Sequence, residues 1–150
     1  QRQNLGRARV PGLELAFDWR IVAPLTASAA YTFVDPRVVD APGRPELLGK
    51  LLAQDPAHRA TVGLALASKQ LANVLLQLRW LGPQFEDDLN TLPMAGVALV
   101  DVYAGRELRR GVEVFGAIEN LFDRTWLVGR AGVDTVGQPF TARLGVKLSN

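Results

Sequence analysis

The chain has 150 residues, 48% of them hydrophobic and 21% charged, with no cysteine, one histidine and a formal net charge of +2. Without cysteines there is no disulfide framework or thiolate metal site, and one histidine does not supply a zinc site or a histidine-based triad. The small charge excess is unclustered and gives no ground for nucleic-acid binding, and no apolar run approaches the roughly 20 residues of a membrane helix.

Period-two alternation dominates the remainder. Leu13, Leu15, Phe17, Trp19 and Ile21 alternate with Gly12, Glu14, Ala16, Asp18 and Arg20, which puts an apolar and a polar set on opposite faces of a strand. Ala23-Pro24 breaks the run, and residues 26–35 alternate again, with Ala27, Ala29, Tyr31 and Phe33 on one face. Residues 59–67 carry Val62, Leu64 and Leu66 on one side. Over 72–85, Val74, Leu76, Leu78 and Trp80 oppose Asn73, Gln77 and Arg79. Over 97–108, Leu99, Asp101 and Tyr103 share a face opposite Val100 and Val102. Residues 112–123 set Val112, Val114 and Ile118 against Glu113 and Glu119. Residues 140–148 set Phe140, Ala142, Leu144, Val146 and Leu148 against Thr141, Arg143, Gly145 and Lys147.

These runs predict an all-β chain, an antiparallel meander of about seven long strands. Links at 23–24, 68–70 and 109–111 are short, whereas 36–57, 86–96 and 124–138 are long and polar, and the two kinds alternate strictly. Tight turns at one end and long loops at the other are the layout of outer-membrane barrels, whose strands need roughly 9–11 residues to cross the bilayer. Aromatics toward the strand ends (Trp19 near a short turn; Tyr31, Phe33, Trp80 and Phe122 near long loops) predict two interfacial belts. Mid-strand charges at Glu14, Asp18, Arg79, Asp101, Glu113 and Arg143 predict a wet lumen face. Glu113 and Glu119 are expected to meet Arg143 and Lys147 across the last strand pair. A soluble sheet would share the alternation, and the loop rhythm is what separates the two readings.

The segment Asn120-Leu121-Phe122-Asp123 resembles the "NLFD" box before the last long loop of TonB-dependent receptors. The stretch from Gly6 through Gly12 and Glu14 resembles that family's Gly-x-Ala-x-x-x-Gly-x-Glu strand, and residues 25–35 resemble its partner. Pro56-Ala57-His58 resembles the Pro-x-His where the chain re-enters the barrel. The run from Arg79 and Trp80 through Gly82-Pro83 to Asp87-Asp88 resembles the next ascending strand with its acidic loop, and Gly137-Gln138-Pro139 fits before the closing strand. Most of these positions read as barrel-building residues: glycines allow close approach at the rims, and the Asn and Asp of the box can bond local backbone as a strand leaves the sheet.

The resemblance implies that residues 1–150 are the C-terminal segment of a receptor barrel of roughly 22 strands, with the plug domain and N-terminal strands absent. It implies TonB-energised uptake of a scarce nutrient, such as an iron–siderophore complex or cobalamin, across the outer membrane of a Gram-negative bacterium. The implied partners are the rest of the barrel and its plug, TonB, outer-membrane lipid, the barrel-assembly machinery and a small-molecule metal chelate. No catalytic residue, metal site or cofactor is expected, since no nucleophile–base pair occurs. Glu86, Asp87, Asp88, Asn90, Trp126 and Arg130 are the expected ligand contacts, because they fall in predicted outer loops. The chain opens at Gln1 without a leader pattern, so a fragment or processed piece is expected. Such barrels usually end on an aromatic. Asn150 stands there, and a clipped or divergent C-terminus is the expectation. The other readings are a small outer-membrane pore or structural barrel and a soluble β-sheet binding module.

Overall fold

The computed structural model describes residues 6–68 and 70–149, so the first five residues, Lys69 in the second short link, and Asn150 lie outside the described residues. Seven strands form one antiparallel sheet: β1 Gly12–Val22, β2 Leu25–Val34, β3 His58–Ala67, β4 Asn73–Leu81, β5 Val97–Arg109, β6 Val112–Glu119 and β7 Thr141–Leu148. Each strand pairs only with its neighbours in sequence, giving an open meander with β1 and β7 at its edges. Short turns join β1 to β2, β3 to β4 and β5 to β6 at one end. The long connections lie at the other, here called the outer end.

The register confirms the two faces. Directly opposed residues of an antiparallel ladder share a face. Leu15 opposes Tyr31, Tyr31 opposes Ala60, Ala60 opposes Trp80 and Trp80 opposes Ala98. The same parity carries through Val102 and Ile118 to Ala142. On the other face Asp18 opposes Ser28, Thr61 opposes Arg79, and Glu113 opposes Lys147. No core is laid on the apolar face among the described residues: Trp19 is 68% and Leu144 90% exposed. The sheet is thus two-faced, apolar on one side and polar on the other, as expected of a barrel wall.

Three predicted boundaries are corrected. The run 72–85 is not one strand: β4 stops at Leu81, and Gln84–Phe85 forms a separate small ribbon with Pro93–Met94. Gly82-Pro83 causes the break: Gly82 N still donates to His58 O at 2.9 Å, but Pro83 has no N–H with which to carry the ladder further. The run 112–123 stops at Glu119, because Asn120 and Asp123 take left-handed φ of 51° and 49° and turn the chain. The run containing Gly6 and Gly12 is likewise interrupted at Val10-Pro11, so Arg7–Arg9 is a strand of its own.

The connection 36–57 is also more than a polar link. Its Arg37–Asp40 segment pairs with Arg7–Arg9, a 3₁₀ turn follows at Pro45–Leu47, and Val38, Ala41 and Leu47 make a small buried cluster with Leu52 packed on it. Leu47 is fully buried, far more so than any residue in the middle of the sheet's apolar face. Among the described residues, the best-packed apolar cluster therefore belongs to an outer loop. A barrel wall is covered by lipid and lumen contents, whereas a loop in water must bury its own apolar side chains.

At the outer end of the apolar face, His58 lies among Tyr31, Phe33 and Trp80. The Tyr31 hydroxyl is 2.8 Å from His58 Nδ1, and the His58 ring lies 5.1 Å from Phe33 and 6.2 Å from Trp80. This is the predicted outer aromatic belt, with a histidine added to it.

Candidate functional site

The three outer connections lock together. Asn90, in left-handed conformation at φ 58°, reaches across to the first connection, where its Oδ1 accepts from Leu51 N at 2.8 Å and its Nδ2 donates to Leu51 O at 2.9 Å. Its amide thus stands in for a strand partner. Gln54 N donates to Phe85 O at 2.7 Å and Gln54 Nε2 to Glu86 Oε1 at 3.1 Å, which joins the same two connections again. The third connection carries a short ribbon of Leu127–Gly129 with Thr135–Val136. Arg130 Nη1 donates from it to Pro93 O at 2.9 Å while its Nε pairs with Asp134 at 3.2 Å.

Asp87 organises its own loop. Oδ1 accepts from Thr91 N at 2.8 Å and Leu92 N at 2.7 Å, and Oδ2 accepts from the Thr91 hydroxyl at 2.8 Å. Partial desolvation raises its pKa, but the hydrogen bonds from Leu92 and Thr91 outweigh this and hold the carboxyl below its ordinary value of 3.8. A depressed carboxylate stabilises the loop above its unfolded pKa, and that contribution is lost as pH falls through the lower folded value. The Thr91 and Leu92 amides are therefore expected to stay protected against hydrogen exchange at pH 4 and to lose protection only below about pH 3.8. Asp87→Asn should abolish that pH step. Loss of protection well above pH 4 in the parent protein would show that Asp87 does not hold the loop.

Beneath these loops, the lumen face carries a connected polar network. Arg79 Nε on β4 pairs with Asp101 Oδ2 on β5 at 2.7 Å. Asp101 Oδ1 accepts from Asn120 N at 2.9 Å. The Asn120 side chain is buried and closes the neck of the last connection: Oδ1 accepts from Arg124 N at 2.8 Å, and Nδ2 donates to Arg124 O and Gln138 O at 2.9 and 3.1 Å. Asp123 Oδ1 accepts from Phe140 N at 2.9 Å and so starts β7. Gln138 Nε2 donates to Glu119 at 2.6 Å, and Glu119 pairs with Arg143. Of the expected lumen-face pairs, Glu119 meets Arg143 diagonally, whereas Glu113 stands opposite Lys147 in the register without an ion pair and its Oε1 instead accepts from the Tyr103 hydroxyl at 3.2 Å. Because Glu119 and Arg143 are one-third or more exposed, that pair contributes at most about 1 kcal/mol.

An open recess of about 410 Å³ lies against this network, lined by Arg79, Asp101, Glu119, Asn120, Trp126 and Gln138 with Gln77 and Leu99. The Trp126 ring lies over Gly137, where a Cβ would overlap the indole. Its Nε1 is buried without a hydrogen-bond partner, as are Glu86 Oε2 and Gln84 Oε1. Among the described residues no group of three or more His, Asp or Glu side chains is placed to hold a metal ion.

Of the six expected ligand contacts, Asp87, Asn90 and Arg130 have side chains engaged in loop structure, and Glu86 is half engaged through Gln54. Trp126 lines the recess. Asp88 is partly buried in the same acidic loop. The family-motif residues serve the wall and its rims: Pro56 is buried, a Cβ on Gly12 would lie 2.6 Å from Phe33 O, and Glu14 faces the lumen opposite Thr32. Leu121 extends the sheet by donating from its N to Val100 O at 2.8 Å, and Phe122 is exposed. Sequence reasoning placed Asp101 and Glu119 on the lumen face and Gln138 before the closing strand, but did not join them into one site. The acid between Val100 and Val102 marked the first of these.

The family model described as TonB dependent receptor-like, beta-barrel matches residues 1–121. The ferric yersiniabactin uptake receptor FyuA from Yersinia pestis superposes with a TM-score of 0.85 at 18% identity, over 97% of this chain and 24% of that one. The ferric citrate transporter FecA in its unliganded form gives 0.86 at 18% identity, over 95% and 24%. BauA, the ferric preacinetobactin receptor from Acinetobacter baumannii, gives 0.80 at 20% identity, over 93% and 22%. The chain thus spans about a quarter of the length of each of these structures, and at such identities the likeness is one of fold.

Proposed function

Since the chain belongs to the TonB-dependent receptor β-barrel family, we propose that it is the C-terminal wall of an outer-membrane receptor that imports a scarce nutrient, an iron–siderophore complex or cobalamin, with energy from TonB. The observation that carries this reading is the two-faced open sheet, lipid-apolar on one side and ion-paired on the other, with interlocked loops at one end only. Both edges would pair with the remaining strands of the barrel, since open edges are not tolerated in a bilayer. A plug inside would cover the lumen face, and the barrel-assembly machinery would insert the whole.

Ligand would enter from the outer loops. Of the six residues expected there, Trp126 is the strongest candidate for direct contact, because its ring borders the recess and its buried N–H has no partner among the described residues. Glu86 and Asp88 would set the loop's negative charge, and Asp87, Asn90 and Arg130 would hold the loops in shape. No chemical step is proposed; the receptor binds and translocates.

The test is uptake by cells carrying the whole gene as their sole receptor of this type, with radiolabelled ferric siderophores and cobalamin as separate probes. TonB-dependent accumulation of one probe, reduced at least ten-fold by deleting the gene, is the expected result. Accumulation of small solutes without discrimination and without TonB would instead identify a pore.

A further inference from the structure

At the short-turn end the sheet has a step in it. β5 is the longest strand, at 13 residues, and its pairing with β4 ends where Gly105 meets Asn73. Its pairing with β6 runs on to Arg109 opposite Val112, and β6 keeps β7 beside it as far as Leu148. The β5–β6 hairpin therefore projects past the end of β4 by residues 106–109. The ladder is irregular beside Glu113, which shortens the projection a little. At about 3.3 Å per residue on a strand tilted about 40°, it amounts to roughly 8–10 Å. Along this length the edge of β5 that faced β4 has no strand partner among the described residues.

The projection reads Arg106-Glu107-Leu108-Arg109-Arg110, and all five residues are exposed. None of the three arginines joins an ion pair among the described residues. The two acids of the hairpin are already engaged. Glu107 Oε1 accepts from Gly111 N at 3.2 Å and so holds the turn, and Glu113 Oε1 accepts from the Tyr103 hydroxyl at 3.2 Å. Beside the free edge lies an open recess of about 320 Å³, lined by Ser68, Asn73, Glu107, Arg109 and Arg110 with Gly105 and Arg106.

The step thus combines a strand edge that lacks a neighbour with guanidinium groups that lack an acid. An extended peptide supplies the first, through its main chain, and carboxylates supply the second. A lipid head group brings an anion but no main chain. A second copy of the same edge would set arginine against arginine, which charged edges serve to prevent.

We propose that the step between β4 and the β5–β6 hairpin docks an extended acidic peptide of a partner protein. The peptide lies as a short strand along the edge of β5, with its carboxylates on Arg106, Arg109 and Arg110. The site rests on the receptor reading, which leaves the short turns open to soluble partners on the inner side of the membrane.

The experiment uses the full-length receptor purified in a neutral detergent, with binding read by fluorescence anisotropy. The probe is a fluorescein-labelled peptide of alternating Glu and Ser. It should bind at least ten-fold more tightly than the same peptide with Gln for Glu. N-methylation at alternate residues keeps the charge but removes main-chain donors, and should weaken binding at least five-fold. R106Q, R109Q and R110Q should each weaken it about three-fold. R20Q removes the same charge at the same end of the wall but from β1, at the far edge of the sheet, and should change it less than two-fold. Equal affinity for the Glu and Gln peptides, or for the methylated one, overturns the site. So does a loss from R20Q as large as that from R109Q, because summed charge alone would then explain the binding. Displacement of the peptide by an equal concentration of anionic phospholipid assigns the arginines to head groups and also overturns it. Failure of the unmodified protein to fold as a heat-modifiable barrel overturns the receptor reading and the site with it. A folded barrel that ignores the peptide overturns the site alone.

Discussion

Leu76→Arg is expected to cost the complete barrel about 2–4 kcal/mol of folding stability in a bilayer, while Gln77→Arg, one residue away, should cost less than about 0.5 kcal/mol. Leu76 sits near the middle of β4, opposite Leu64 on one neighbour and Val102 on the other, all on the apolar face. An arginine there must be carried into hydrocarbon or must drag water and head groups inward. Gln77 opposes Gly63 and Asp101 on the polar face, where a second guanidinium would find a carboxylate and water. Urea unfolding of the receptor from lipid vesicles, followed by the heat-dependent mobility of the folded barrel, measures both. Equal costs, or the reverse order, would mean that the faces have been assigned the wrong way round and the wall does not stand in lipid as described. The comparison is sensitive because the two sites share a strand, a depth and a substitution. Only the side of the sheet differs.

Asn120→Ala should open the last outer connection, with about 4 kcal/mol lost from the local stability of residues 120–140 and a fall of roughly 1,000-fold in hydrogen-exchange protection at the Arg124 and Phe140 amides. The Asn120 residue is 3% exposed, and its amide serves the N–H and C=O of Arg124 and the C=O of Gln138. Removing it orphans those groups at about 1 kcal/mol or more each. Alanine also resists the left-handed φ of 51° by about 1–2 kcal/mol. Asn120→Gly separates the two causes: it should restore the backbone part and leave the hydrogen-bond loss. If glycine recovers full protection, the conformation alone explains the residue and the staple has no energetic weight. Because Asn120 N is also held by Asp101, which pairs with Arg79, the opening is expected to reach the lumen wall and loosen the recess beside Trp126.

How the sequence and the structure divide the information follows from the range of the forces involved. Period-two alternation is a local signal, imposed on each strand by the two solvents it meets. The seven strands, their two faces and the rhythm of short and long links were therefore all legible in single runs such as Leu13 to Trp19 or Phe140 to Leu148. The NLFD box was legible as a strand exit because Asn and Asp side chains can bond local backbone, as Asn120 does to Arg124 N and Asp123 to Phe140 N. Strand ends were less legible. Gly82-Pro83 after Leu81 and Asn120 after Glu119 mark two of these ends, but the runs drawn from the alternation continued past both marks.

The loops were decided by tertiary structure. Asn90 meets Leu51 across 39 residues, and Gln54 meets Glu86 across 32. Neither contact leaves a spacing or a periodicity to read. Asp87 and Asn90 looked like ligand contacts because acidic and amide side chains in an outer loop are free to bind in the absence of other information. In the folded chain their hydrogen-bonding capacity is spent on Thr91, Leu92 and Leu51. The same holds for Val38, Ala41 and Leu47, which form the buried cluster of the first loop although their spacing in the chain does not bring them together. Sequence by itself determined which residues face lipid and which face the lumen, since each makes that choice against a solvent. Only the tertiary structure decided which polar groups satisfy one another, since that choice depends on where the chain returns.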